Sequence, residues 1–146
     1  YSEDGFIFYT NFNSKKGNDL KKNPNASMCF HWKSLRRQIR ISGKVNIVSD
    51  EVADKYYNSR AYRSRIGAWA SSQSSVMKKR EELMQKFEEF KKKYPDENKV
   101  PRPPHWSGWN LKPDKIEFWL EIKNRIHERL NYRKENNNWV KEILYP

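Results

Sequence analysis

Arg37-Gln38-Ile39-Arg40-Ile41-Ser42-Gly43-Lys44-Val45-Asn46-Ile47-Val48 alternates polar and apolar positions over most of its length. On an extended chain Ile39, Ile41, Gly43, Val45 and Ile47 share one face, and Gln38, Arg40, Ser42, Lys44 and Asn46 share the other. Side chains of a strand point alternately to its two faces. One face therefore meets a core while the other stays polar, which indicates a half-buried antiparallel sheet.

Working outward, Gly5–Asn11 is rich in aromatic and β-branched residues and reads as a strand. Asn13-Ser14 ends it and caps a short helix through Leu20, which Asn23-Pro24-Asn25 stops. Ala26–Trp32 reads as a second strand, with Cys29 between Met28 and Phe30 as a packed, inert thiol. A turn near Lys33-Ser34 leads into the alternating strand. Ser49-Asp50-Glu51 then opens a helix to about Asn58, with acidic residues suited to its first turn. Ser64–Ala70 is a second short helix. Residues 79–94 form the clearest one, with Leu83, Phe87, Phe90 and Tyr94 spaced for one core-facing stripe. Pro95, Pro101, Pro103 and Pro104 mark a connecting loop. Strands are expected at His105–Leu111, Lys115–Glu121 and His127–Arg133, and after the Asn136-Asn137-Asn138 turn at Trp139–Leu144. The order predicts one mainly β domain over residues 1–146, an antiparallel sheet or small barrel, with a helical insertion at about 50–94.

With 146 residues the chain is long enough for one domain with a core. Hydrophobic residues make up only 36%, yet 14% are aromatic, which argues against disorder and lets few positions fill a core. The formal charge of +12 calls for anionic partners: nucleic acid, an anionic membrane surface or phosphorylated small molecules. Lys78-Lys79-Arg80 and Lys91-Lys92-Lys93 bracket Glu81, Glu82, Glu88 and Glu89, which is a solvated mixed face and not a basic arm. No zinc-finger spacing and no RNA-recognition signature occur, so no nucleic-acid partner is expected. A single cysteine excludes an internal disulfide and fits a reducing, cytoplasmic setting. His31, His105 and His127 are too scattered for a metal site. No apolar run approaches the roughly 20 residues of a membrane span, so no membrane partner is expected either. Neither a Gly-rich dinucleotide fingerprint nor a P-loop is present.

Two constellations carry chemistry. Tyr56, Arg60 and Ser64 are spaced by four, so a continuous helix would align a guanidinium fork and two hydroxyls, donors suited to a phosphate. An ordinary polar helix face would look the same. Arg125-Ile126-His127-Glu128-Arg129, read as a strand, sets Arg125, His127 and Arg129 on one face. Such a row repels itself unless an anion or electron-rich ring lies against it. A solvated edge strand is the alternative.

The chain resembles the pyridoxamine 5′-phosphate oxidase family from Gly5 to Pro146. The resemblance rests on Phe8-Tyr9-Thr10-Asn11 with Ser14-Lys15-Lys16-Gly17, Arg37-Gln38, Ser59-Arg60, Ile66-Gly67-Ala68-Trp69 with Gln73-Ser74-Ser75, Ile116-Glu117-Phe118-Trp119, and the Arg125–Arg129 stretch. Six motifs in family order are specific where one alone would not be. The resemblance implies an antiparallel FMN-binding split barrel, mainly β with helices, working as a homodimer with FMN at the interface. By matching position, Tyr9, Thr10, Lys15, Lys16, Gln38, Gln73, Ser74, Trp119 and Arg129 would contact FMN. Tyr56, Arg60 and Ser64 would hold the substrate phosphate, and Arg125 and His127 would sit over the pyridine ring as the catalytic pair. The implied reaction oxidises pyridoxamine or pyridoxine 5′-phosphate to pyridoxal 5′-phosphate, with O2 as acceptor and H2O2 released.

Some positions depart from the family pattern. Lys15 stands where Arg is usual, which replaces a fork by a point charge. Ala61 replaces a Pro, Ser107 interrupts a Gly pair after Trp106, Leu120-Glu121 replaces Gln-Gly, and Ile143-Leu144-Tyr145-Pro146 replaces Arg-Leu-Ala-Pro. Family chains begin well upstream of the residue matching Tyr1, with a strand bearing an Arg and a Lys for flavin phosphate and substrate. The barrel of this chain is thus expected to lack N-terminal strand structure, and a non-catalytic relative that binds flavin or pyridoxal phosphate is the alternative.

Overall fold

The computed structural model describes residues 5–146. Strand β1 covers Phe6–Asn11, β2 Asn25–Trp32, β3 Arg37–Ile47, β4 Trp106–Leu120, β5 Glu128–Glu135 and β6 Asn138–Leu144. The helices are α1 (Lys15–Lys22), α2 (Asp50–Ser59), α3 (Tyr62–Ala70) and α4 (Arg80–Lys93). The strands form one sheet in the order β2-β3-β4-β5-β6, with β1 also paired to β4. The fold is mainly β with helices, as the alternation in β3 requires: Ile41, Gly43 and Val45 are buried, whereas Arg40, Lys44 and Asn46 are exposed.

The chain divides into two compact units. The first takes the described residues through Phe6, then Pro24–Asn46 and Asn110–Pro146. Its ladder is antiparallel at β2–β3, from Asn25 opposite Lys44 to Trp32 opposite Arg37. It is antiparallel again at β4–β5, where Lys115 faces Arg133 and Trp119 faces Arg129, and at β5–β6, from Arg129 opposite Leu144 to Glu135 opposite Asn138. Ile41, Val45 and Leu111 fill its core. Backbones approach so closely at Gly43 that a Cβ there would lie 2.0 Å from the Lys112 carbonyl oxygen. No side chain fits that gap, which explains the one glycine in an otherwise ideal strand.

The second unit takes Ile7–Asn23 and Ile47–Trp109. Ala53, Tyr57, Ile66, Ala70, Val100, Trp106 and Trp109 are buried in it. Ser14 caps α1, its Oγ accepting from the Gly17 N–H at 3.1 Å and donating to the Asn11 carbonyl at 2.6 Å. Ser49 caps α2 by accepting from the Val52 N–H. The proline-rich loop is tied down by Arg102, which donates to Asp50 (2.6 Å), Asp54 (2.5 Å) and the Trp106 carbonyl (2.9 Å). The α4 stripe is half-buried: Phe90 and Tyr94 pack on Trp69 with ring centres 5.4 and 5.5 Å away, and Arg63 covers Phe87 at 5.4 Å.

Three local expectations are corrected. Two strands at 105–111 and 115–121 are one continuous β4, because Pro113 gives up one ladder donor but its fixed φ suits an extended chain. The strand expected from His127 begins at Glu128. Cys29 is exposed, not packed, since only Ala26 and Met28 of β2 are even half-buried. Among the described residues, no helix is long and apolar enough to cross a membrane and no His/Cys/Asp/Glu cluster suits a metal ion.

Candidate functional site

Tyr9, Thr10, Arg60, Ser64, Gln73 and Trp106 line a cavity of about 410 Å³ in the second unit. The continuous stripe expected for Tyr56, Arg60 and Ser64 does not exist. Helix α2 ends at Ser59, Arg60 is extended (φ −78°, ψ 147°), and α3 starts at Tyr62. The break still brings Arg60 and Ser64 to one cavity, because the chain turns at Arg60 and presents the start of the next helix beside it. Tyr56 joins differently, stacking on Tyr9 with ring centres 3.8 Å apart and planes 8° from parallel. Trp106 lies parallel to Tyr9 at 5.3 Å, and the Arg60 guanidinium sits 4.9 Å from the Trp106 ring centre. The ring quadrupole attracts that cation and orients its plane. Arg60 Nη1 is buried with no hydrogen-bond partner on the protein. A buried cationic donor without an acceptor costs free energy, and an anion in the cavity would relieve it.

Gln73 fixes the other wall: its Oε1 accepts from the Asn11 N–H at 3.1 Å and from Thr10 Oγ at 3.4 Å. Burial, then the neighbouring Tyr56, pushes the Tyr9 hydroxyl pKa upward, so Tyr9 stays a neutral donor. Ser74 takes a left-handed backbone (φ 70°) and borders a separate cavity of about 430 Å³. Lys15 and Lys16 stand exposed on α1, outside the first cavity's lining. Lys15 pairs with Asp19 at 3.3 Å, and Lys16 lies 5.8 Å from the Phe8 ring centre.

The first unit holds a second group. Gln38 and Trp119 border a largely apolar cavity of about 530 Å³. Arg129 stands opposite Trp119 on the β4–β5 ladder. The row expected for Arg125, His127 and Arg129 is overturned: Lys123–Arg125 is a 3₁₀ turn in which Asn124 (φ 60°) and Arg125 (φ 63°) are left-handed, so no strand period links the three. Asn tolerates that backbone well, and it reverses the chain before β5. His127 nevertheless meets Trp119, with ring centres 4.9 Å apart, and its Nδ1 accepts from the Ile122 N–H at 3.3 Å. Arg125 is exposed.

Arg129 has a partner, Glu117, that the sequence shows only as part of a motif and without a role. Glu117, buried at 3% exposure, accepts from Arg129 Nε at 3.0 Å and from Arg40 Nη2 at 2.6 Å. Burial pushes the Glu117 carboxyl pKa up, but hydrogen bonds from Arg129 and Arg40 outweigh it, and the net shift is downward. Glu117 stands between half-buried Ile116 and exposed Phe118 in a stretch of β4 with no clean polar–apolar alternation, so its burial has no local signal. Trp106 and Asn11 were likewise not singled out, as an aromatic and an amide near strand ends carry no spacing signature.

Residues 2–119 match the family model described as pyridoxamine 5′-phosphate oxidase, and residues 106–146 match the one described as pyridoxine 5′-phosphate oxidase C-terminal dimerisation region. The chain belongs to the pyridoxamine 5′-phosphate oxidase family. It is 64% identical over 147 residues to the pyridoxine/pyridoxamine 5′-phosphate oxidase of Pelagibacter ubique, covering 100% of this chain and 71% of that protein. Against the Rhodospirillum rubrum enzyme of the same name, identity is 52% over 145 residues, covering 99% and 72%. Among solved structures, PhzG from Burkholderia lata, crystallised with tetrahydrophenazine-1-carboxylic acid, superposes with a TM-score of 0.91 at 32% identity, covering 99% of this chain and 70% of that one. A pyridoxamine 5′-phosphate oxidase-related, FMN-binding protein of Nostoc punctiforme shares the fold at a TM-score of 0.75 and 18% identity, covering 100% and 76%. The pyridoxamine 5′-phosphate oxidase fold is thus that of the split barrels, and the chain is an oxidoreductase.

Proposed function

We propose that this chain is an FMN-dependent oxidase that converts pyridoxamine or pyridoxine 5′-phosphate to pyridoxal 5′-phosphate, with O2 as acceptor and H2O2 released, in the cytoplasm. The observation that carries the reading is Arg60: a buried, unpaired guanidinium nitrogen at a cavity that also holds the Ser64 hydroxyl. This is a donor set for a phosphate monoester. Tyr56, stacked on Tyr9 beside it, completes the substrate's phosphate site. FMN fits the remaining chemistry of the donor set: Tyr9, Thr10, Lys15, Lys16, Gln38, Gln73, Ser74, Trp119 and Arg129 would hold it, with cations for its phosphate and aromatic and amide groups for its ring. The match of residues 106–146 to a dimerisation region supports a homodimer, and FMN is proposed to lie at its interface.

When bound, the flavin would supply the hydride-accepting redox chemistry that the surrounding side chains do not offer. The protein's part is to bind, orient and shield. Arg60 and Ser64 anchor the substrate by its phosphate, which turns an encounter between two rings into a held geometry. His127 is able to hydrogen-bond the substrate through Nε2, and Arg125 adds positive potential near the reacting carbon.

The test is a flavin titration of the purified chain, followed by a peroxide assay with pyridoxine 5′-phosphate. The expected result is stoichiometric FMN uptake and H2O2 formed at the rate of pyridoxal 5′-phosphate production. A chain that takes up no FMN, or takes it up and yields no peroxide with either phosphorylated vitamer, overturns the oxidase reading.

A further inference from the structure

Glu117 has both carboxylate oxygens occupied by arginines from the two flanking strands, Arg40 on β3 and Arg129 on β5. A buried carboxylate needs one cation for neutrality. Here there are two, so the group as a whole keeps a charge of +1. Arg129 is further fixed by Nη1, which donates to the Tyr145 carbonyl at 3.0 Å. With Nε and Nη1 both committed, the guanidinium plane is locked and Nη2 is the group left over. Strand period puts Glu117 and Trp119 on one face of β4, and the ladder puts Arg129 directly opposite Trp119. Gln38 shares a face of β3 with Arg40, two residues on. The carboxylate therefore anchors one flavin-assigned side chain, Arg129, on the sheet face that Trp119 shares, and its other oxygen holds Arg40, two residues from Gln38.

We propose that Glu117 is a positioning residue for the oxidase: it holds the Arg129 fork beside Trp119 in the orientation that meets FMN. This rests on the assignment of Arg129 to FMN made above. A purely structural salt bridge would give the same burial but a different response to substitution. Glu117→Gln keeps the shape, loses the charge and turns an amide donor toward an arginine. Losing a charge-assisted hydrogen bond weakens the dependent interaction by roughly tenfold to a hundredfold.

The experiment measures the FMN dissociation constant by flavin fluorescence quenching, and the melting temperature, for the wild-type chain, Glu117→Gln, Arg129→Lys and the double variant. The expected result is FMN binding roughly tenfold to a hundredfold weaker in Glu117→Gln, and a double variant no weaker than Arg129→Lys alone, because one residue acts through the other. A folded Glu117→Gln with lowered melting temperature and wild-type FMN affinity overturns the proposal, as do penalties that simply add. If Glu117→Gln shows no cooperative melt, Glu117→Asp keeps the buried charge but withdraws the carboxylate, and it must also weaken FMN binding. Wild-type affinity in that variant overturns the proposal as well. A wild-type chain that takes up no flavin defeats the underlying functional reading, whereas equal uptake by wild type and both Glu117 variants defeats this inference alone.

Discussion

At the scale of single residues, Arg60 and Glu117 have opposite electrostatic situations. Arg60 is a cation awaiting an acceptor, so Arg60→Met is expected to raise KM for pyridoxine 5′-phosphate by roughly tenfold to a hundredfold, with a smaller change in kcat, as lost ground-state anchoring requires. Steady-state peroxide assays read that split, and Arg60→Lys falls between because an ammonium keeps the charge and loses the fork. Glu117 is an anion already satisfied. Its folded pKa lies below the ordinary value of 4.5. The unfolded chain therefore binds the proton more readily, so the stabilisation is complete above the ordinary value and is lost as pH falls through the folded one. Urea midpoints measured between about pH 5 and pH 3 are expected to fall more steeply for wild type than for Glu117→Gln. Arg60 was legible in the chain because Arg, Tyr and Ser at close spacing suggest phosphate. Glu117 was visible only as part of a motif, since burial of a carboxylate is decided by neighbours 77 and 12 residues away.

At the scale of elements, caps and alternation were readable and the breaks were not. Ser14 and Ser49 announce α1 and α2 by local side-chain bonding, and β3 announces itself by period two. Ser14→Ala is expected to cost about 1 kcal/mol, the usual loss for a helix cap, read from the urea midpoint. Gly43→Ala is expected to cost more, roughly 1–3 kcal/mol, because the added methyl meets backbone and cannot be relieved by a rotamer. The sequence failed where tertiary pairing overrides local preference. Pro113 and Asp114 suggest a turn, yet β4 runs straight through them. Residues 125–129 suggest a strand by charge alternation, yet Arg125 adopts a left-handed backbone and β5 starts only at Glu128. Arg60 and Ser64 still line one cavity, because the chain turns between α2 and α3 instead of continuing as a single helix.

At the scale of the whole molecule, the charge of +12 is large for 146 residues and suits a protein whose ligands are anions. FMN affinity is expected to fall as salt is raised from about 10 mM to 0.5 M, since exposed Lys15 and Lys16 are screened over a Debye length of about 10 Å or less above 0.1 M. FMN in excess must also raise the melting temperature, the stabilisation reaching about 2.7 kcal/mol when free flavin is a hundred times its dissociation constant. Differential scanning calorimetry across a flavin series reads this directly. An unchanged melting temperature at saturating flavin would contradict the proposed cofactor. The overall fold class was legible from the order of strands and helices, whereas the division into two compact units was not, because each draws on segments far apart in the chain.

Cys29 is the chain's one thiol, and it stands exposed on β2 in the first unit. A maleimide dye would therefore attach at a single known address per polypeptide. Such a label turns every subunit into an optical reporter, so that ligand uptake and assembly become readable by energy transfer without any engineered handle.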